Sequence, residues 1–304
     1  MARVTILLST FNGAAYLDAQ LASLVAQTER EWRLLWRDDG SWDATVRVMA
    51  GWQSDVGAGC CQELPVGGHL GVAESYFALL RAGIAAGATA VAFADQDDVW
   101  LPFKLERALA ALTTVRAGRP ALYCARQVLV AADLRRIGLS APVRALAFPA
   151  ALTQNVATGC TVLMNEAAAR LVAMSTPPPT ALHDWWSYLV VAVAGGQIIA
   201  DPEPVVLYRQ HGGNRVGAPR SVMRRAVGAV RRGPDLFMDV LRRNVAALCK
   251  QPHLVAPEHW ATLERIERGL DGGVMARLSA LMLPGLRRQT WEETLLFRLW
   301  FMLG

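Results

Sequence analysis

Three short apolar runs, "RVTILLS", "WRLLWR" and "AVAFA", each stop at a polar turn, and helical periodicity fills the gaps between them. Leu17, Leu21, Leu24 and Val25 recur at helical spacing after the first run. "TVRVMAGW" and "GVAESYFALLRAGIAAG" read as helices after the second. Strand, helix, strand, helix, strand predicts parallel pairing with right-handed crossovers. In such a sheet, ligands bind beyond the carboxyl ends of the strands. Two of those ends are acidic, "DDGS" at 38–41 and "DQDD" at 95–98. The topology brings them together although they lie far apart in the chain.

Beyond Trp100 the pattern is mixed. "LPFKLERALAAL" reads as a helix, "ALYCARQVLVA" and "TGCTVLMN" as strands, and "STPPPTA" as a stiff loop before a helix starting near His183. "QIIADPEPVVLYRQH" returns to strand character. Past Gly217 the chain is arginine-rich and helical, with breaks expected at Gly233-Pro234, Pro252, Pro257 and Pro284-Gly285. The expected organisation is α/β, with regions 1–100 and 101–217 forming two halves of one catalytic domain and 218–304 a basic helical extension.

Composition narrows the class. With 53% hydrophobic residues among 304, the chain can bury a sizeable core, and its net charge is +5. Only Lys104 and Lys250 of the 31 basic residues are lysine. Arginine suits bidentate capture of phosphate, but a GC-rich genome yields the same bias. Cys60, Cys61, Cys124, Cys160 and Cys249 form no CxxC, which fits a reducing compartment and no structural zinc. "VTILL" is too short for a signal-peptide core. The apolar stretch from Tyr188 to Ala200 is interrupted by Gly195, Gly196 and Gln197, well short of the roughly 20 residues a span needs. A cytoplasmic protein is expected, at most peripheral on a membrane surface.

Asp95, Asp97 and Asp98 crowd the end of a buried strand. Like charges so close are stable when a divalent cation neutralises them, and Mg²⁺ or Mn²⁺ commonly combines one or two carboxylates with substrate phosphates. Asp98 taken alone could equally cap the next helix. A carboxylate of "DDGS" can accept a hydrogen bond from a base or a ribose, although Asp39-Gly40 is also an ordinary turn pair. "HDWW" sets Asp184 among apolar residues, where desolvation raises a carboxyl pKa. That suits a general base and is also compatible with a helix cap. "YRQHGGN" holds Arg209 and His211 on a glycine-rich loop, a ligand-closing loop or a plain surface one.

"LLSTFNGAAYLDAQLASLVAQT", "RDDGSWDAT", "ADQDDVWLPFKLE", "HDWW" and "YRQHGGN" occur in the order found in family 2 glycosyltransferases of the GT-A fold. The resemblance covers residues 2–217 and is to the rhamnosyltransferase and O-antigen polysaccharide branch in particular. Two positions depart from its pattern: Phe11 replaces the usual Tyr, and His69 the usual Asn. The resemblance implies a GT-A fold, Rossmann-like, with a mostly parallel sheet flanked by helices. It implies that Asp38, Asp39 and Arg209 serve the nucleotide, with Thr10 and Phe11 against the base and Asp95 toward the ribose. Asp97 and His211 would hold Mn²⁺ or Mg²⁺, and Asp184 would be the base of an inverting displacement. Trp185 and Trp100 are assigned to the acceptor. The implied donor is a nucleoside diphosphate sugar, with rhamnose the first expectation. The implied acceptor is a lipid-linked saccharide or oligosaccharide of a surface polysaccharide.

A metal-dependent nucleotidyltransferase is the enzymatic alternative, although "STFNGAAY" lacks a Gly- and Arg-rich triphosphate loop. A degenerate glycosyltransferase acting as a scaffold is the non-enzymatic one. Asp95, Asp97 and Val99 also satisfy a phosphatase DxDx(T/V) pattern, but the downstream Lys and acidic cluster are missing. In the tail, Arg220, Arg224, Arg225, Arg231, Arg232, Arg242 and Arg243 accompany Met223, Val227, Val230 and Phe237, and Leu295, Leu296, Leu299, Trp300 and Phe301 close the chain. Such a stretch suits an anionic membrane surface or packs on the catalytic domain or on a second subunit of a homo-oligomer. Nucleic acid is not expected, because the aromatics do not interleave with the arginines.

Overall fold

The computed structural model describes residues 3–57, 59–212 and 222–304, and of 222–234 the backbone alone. The elements in chain order are β1 (Val4–Thr10), α1 (Ala14–Val25), β2 (Trp32–Asp38), α2 (Thr45–Val56), β3 (Cys61–Glu63), α3 (Val72–Ala85) and β4 (Ala90–Ala94). Then follow β5 (Val99–Trp100), α4 (Lys104–Thr113), β6 (Ala121–Ala131), β7 (Arg136–Leu139), β8 (Leu163–Asn165), α5 (Glu166–Met174), α6 (His183–Val193) and β9 (Gln197–Gln210). Four helices end the chain: α7 (Val222–Cys249), α8 (Pro257–Asp271), α9 (Val274–Leu281) and α10 (Trp291–Leu303).

One sheet runs β3-β2-β1-β4-β8-β6-β9-β5, with β7 beside β6. The first four strands are parallel, as the alternation of runs predicts. β8 then pairs antiparallel with both β4 and β6, so the sheet reverses direction where its two halves meet. Thr10 pairs with Asp38 and Leu8 with Ala94, which aligns the carboxyl ends of β1, β2 and β4. The two acidic clusters therefore emerge at one rim.

Strand alternation divides the core between the two sheet faces. Val4, Ile6 and Leu8 pack with Leu17, Leu21 and Trp36 on one face. Leu7, Val91 and Phe93 pack on the other with α3, α5 and α6, and this core continues into Met238, Leu241, Leu263, Ile266, Phe297 and Phe301. The C-terminal helices thus share a core with the catalytic half. α7 continues through Gly233-Pro234 where a break is expected, while Pro257 opens α8, the position where its missing N–H costs least. "TGCTVLMN" is only in part a strand: residues 159–161 form a tight 3₁₀ turn before β8. Among the described residues, no helix is long and apolar enough to cross a membrane.

Candidate active site

The loop after β1 and the acidic tip after β4 are joined by Gln96, whose Oε1 accepts from the Phe11 amide and whose Nε2 donates to the Phe11 carbonyl, each at 2.9 Å. Gly13 lies against this side chain, and a Cβ there would meet Gln96 Oε1 at 2.1 Å. Phe11 is partly exposed and flanked by Trp42, edge-on at 5.2 Å, and by His69 at 5.3 Å. Trp42 is the most exposed large hydrophobic side chain among the described residues. Phe11, Trp42 and His69 therefore form an aromatic recess, with only Phe11 anticipated from sequence.

The two carboxylates of "DDGS" do different work. Asp38 is half-buried and accepts from the Thr10 hydroxyl at 3.0 Å, the Gly40 and Ser41 amides and the Ser41 hydroxyl. Thr10 is fully buried, so the expected contact of its side chain with a base is corrected: it holds Asp38. Asp39 is 2% exposed and is met by Arg37 at 2.6 Å, His69 at 3.0 Å and the amides of Leu70 and Gly71. Arg37 and the Leu70 amide share one carboxylate oxygen and the Gly71 amide takes the other, while His69 Nδ1 hydrogen-bonds the Asp39 backbone carbonyl at 2.9 Å. Burial raises the carboxyl pKa, but Arg37 and the two amides outweigh it and the net shift is downward. Asp39 thus anchors the 66–71 loop, which corrects its assignment as a nucleoside ligand.

At the acidic tip, burial and the charge of Asp97 push Asp95 up to about 7. Tyr76 donates its hydroxyl proton to the Ala94 carbonyl and stands 2.9 Å from Asp95 Oδ1. Asp97 lies 2.7 Å from His211 Nε2, and the His211 ring stacks on Tyr16 at 4.7 Å. Asp98 is fully buried and accepts from the Arg209 amide, while its Oδ2 has no hydrogen-bond partner among the described residues. It does not cap α4, whose N-cap is Phe103. Donor atoms of Asp95, Asp98 and Cys160 come within 4.8 Å of one another. The crowded carboxylate oxygens of Asp95 and Asp97 fit a hard divalent cation, while the fully buried Asp98 sits against the Cys160 thiol. The Cys160 thiol, pushed far up by burial, stays protonated and is a poor donor for Mg²⁺ or Mn²⁺.

Arg209 is buried. Its Nε donates to the Asp97 carbonyl at 2.6 Å, a terminal nitrogen to the Ala132 carbonyl, and its guanidinium lies over Tyr16. This corrects its assignment to the nucleotide: the guanidinium already fastens the acidic tip to the β6–β7 turn. Trp100 is also corrected. Its ring is 2% exposed, packed under Lys104 Nζ at 3.2 Å from the ring centre, and cannot face an acceptor. Trp185 is half-buried and donates to the Ala151 carbonyl at 2.9 Å, while Trp186 is core. Gly213 and Asn214 of "YRQHGGN" lie outside the described residues.

Asp184 is the second residue of α6, whose N-cap is Leu182. It accepts from the amides of Gly159 at 3.1 Å and Trp185 at 2.6 Å. Burial nevertheless raises it to about 6. It is close enough to Asp95 to raise that carboxyl in turn. The neighbouring His183 stacks on Tyr76 at 3.9 Å and meets Phe93 edge-on at 4.9 Å. Tyr76 and His183 thus bridge the metal-type tip and the candidate base. Neither was singled out in the sequence; a His directly before Asp184 was the available signal.

Comparison with known proteins places the chain among its relatives. Residues 5–126 match the model of glycosyl transferase family 2. The dTDP-rhamnosyl transferase RfbG of Shigella flexneri is 24% identical over 218 residues, which is 69% of this chain and 74% of that protein. Among solved structures, S. aureus TarS 1–349 in complex with UDP-GlcNAc superposes with a TM-score of 0.60 at 15% identity, covering 92% of this chain and 78% of that one. The mannosyltransferase PcManGT of Pyrobaculum calidifontis, in complex with GDP-Man and Mn²⁺, gives a TM-score of 0.50 at 15% identity, covering 98% and 87%. The fold is that of GT-A glycosyltransferases, and the family match and the relative make this chain a glycosyltransferase.

Proposed function

We propose that this glycosyltransferase moves a sugar from a nucleoside diphosphate sugar to a saccharide hydroxyl with inversion at the anomeric carbon, with Asp184 as general base. The observation that carries the reading is the convergence of Asp184 and Asp95 from opposite halves of the sheet, joined through His183 and Tyr76. A base must reach the hydroxyl it deprotonates while the leaving group departs on the far side. A carboxylate on one side and a cation-binding tip on the other meet that need.

Asp95 and Asp97, with His211 beside them, would hold the divalent cation. The cation supplies charge stabilisation for the departing diphosphate. Phe11, Trp42 and His69 offer aromatic faces to the base. Asp184, ionised above about pH 6, accepts the acceptor's proton. The relative whose name carries a dTDP-rhamnosyl donor favours rhamnose and thymidine diphosphate here. A growing lipid-linked saccharide of a surface polysaccharide is the acceptor that fits this donor class.

A thermal-shift series of nucleoside diphosphate sugars with and without Mn²⁺ tests the reading. Stabilisation by dTDP-rhamnose that depends on metal is expected. The absence of metal-dependent stabilisation by any nucleoside diphosphate would overturn it.

A further inference from the structure

The exposed apolar side chains of the C-terminal helices are ordered in rows. On α10, Trp291, Leu295, Leu299 and Leu303 follow one another at i+4 spacing, and each is more than half exposed. Phe297, Trp300 and Phe301, on the other side of the same helix, are buried. The closing apolar run therefore splits into a core face and a solvent face. α9 repeats the pattern with Val274, Met275, Leu278 and Met282, and Arg277 ties it to α10 by donating to the Met302 carbonyl at 2.7 Å.

At the start of the α10 row lies a groove of about 690 Å³ lined by Arg144, Arg287, Arg288, Arg298, Trp291 and Leu295. Arg288 is 3.9 Å from Glu293. The guanidinium groups of Arg144, Arg287 and Arg298 have no hydrogen-bond or ion-pair partner among the described residues. Three uncommitted arginines around an exposed tryptophan, continuous with a row of leucines, ask for a partner that is anionic at its surface and apolar just beneath. A second copy of this chain would bring the same positive charge against them.

We infer that the α9–α10 face is a docking surface for an anionic phospholipid bilayer, with the arginine groove on lipid phosphates and the α10 row at the acyl boundary. Arginine stems and tryptophan suit that depth. The groove also adjoins the active site through one segment. Thr153 donates to the Arg287 carbonyl and Gln154 accepts from Arg288 and Gln289, while the Gly159 amide just beyond donates to Asp184. A bilayer on this face would bring membrane-held acceptors toward the base.

The test is sedimentation of the full chain with vesicles of phosphatidylcholine alone or mixed with phosphatidylglycerol, which needs no sugar transfer and so stands or falls apart from the proposed reaction. Binding to the anionic vesicles, weakened by salt, is expected. Leu295→Ser with Leu299→Ser should abolish it, and Arg287→Gln and Arg298→Gln should each weaken it about fivefold at low salt. These side chains are exposed or groove-lining, so melting temperature should hold. Failure to bind anionic vesicles, or equal binding by the leucine variant, would overturn the inference. So would self-association of the chain that the leucine variant abolishes, with no vesicle binding.

Discussion

Gln96 pairs with Phe11 as an extra strand would, accepting one hydrogen bond from its amide and donating one to its carbonyl. A single side chain thus sets the spacing between the aromatic recess and the acidic tip. Gln96→Ala removes both bonds and should cost about 1–2 kcal/mol of stability. It should also raise the KM for the nucleotide sugar more than it lowers kcat, because the recess loosens while Asp184 stays in place. Steady-state kinetics with a denaturation curve checks both; an unchanged KM would reduce Gln96 to a structural brace.

Asp39→Ala tests the corrected role of that carboxylate. It leaves Arg37 buried without its counter-charge, and breaking such a pair typically costs about 3–5 kcal/mol. The expected result is a large fall in denaturation midpoint. A protein of normal stability that no longer binds nucleotide would instead restore Asp39 as a ligand.

Asp184→Asn and Asp97→Asn should separate chemistry from binding. Loss of a general base typically lowers the rate by about 10²- to 10⁴-fold, so Asp184→Asn should bind donor normally and transfer it poorly. Asp97→Asn should weaken metal-dependent nucleotide binding in calorimetry. Transfer by Asp184→Asn at the wild-type rate would rule that residue out as the base.

The raised carboxyls predict two responses to pH. Asp184 must lose its proton to act, so kcat/KM should climb as pH rises through about 6, with the limb moving lower if bound metal stabilises the carboxylate. Stability should run the other way. Asp184 at about 6 and Asp95 at about 7 keep protons that the unfolded chain gives up near the ordinary value of 3.8. Stability contributed by these groups is therefore present below 3.8 and is lost as pH rises through 6 and 7. In chelator, the melting temperature should fall across that window, and Mn²⁺ should restore it.

β1, β2 and β4 were legible because each is dominated by buried apolar residues and is followed by helical periodicity. The two acidic tips were legible because carboxylates rarely end such runs without purpose. β3 was not, since Cys61–Glu63 has one buried residue and owes its strand pairing to β2. The polar residues were hardest. Thr10, Asp39 and Arg209 carry the residue types of ligand contacts, but their partners are Asp38, Arg37 with the 66–71 loop, and the carbonyls of Asp97 and Ala132. Most of those partners are remote in the chain, and a linear reading cannot tell a bond to substrate from a bond to backbone. Trp100 misled for the opposite reason: next to an acidic cluster it suggested a sugar platform, yet its amide pairs with the Ser23 hydroxyl inside the core.

The stack of His183 on Tyr76 bears on how the enzyme can be re-engineered. The acceptor side and the donor side of a two-substrate enzyme are often treated as exchangeable cassettes. Here the residue next to Asp184 leans on the ring whose hydroxyl touches Asp95, so a graft of α6 from a relative also shifts the tip beneath the leaving group. Chimeras that carry α3 and α6 together should keep their activity, and those that split them should not.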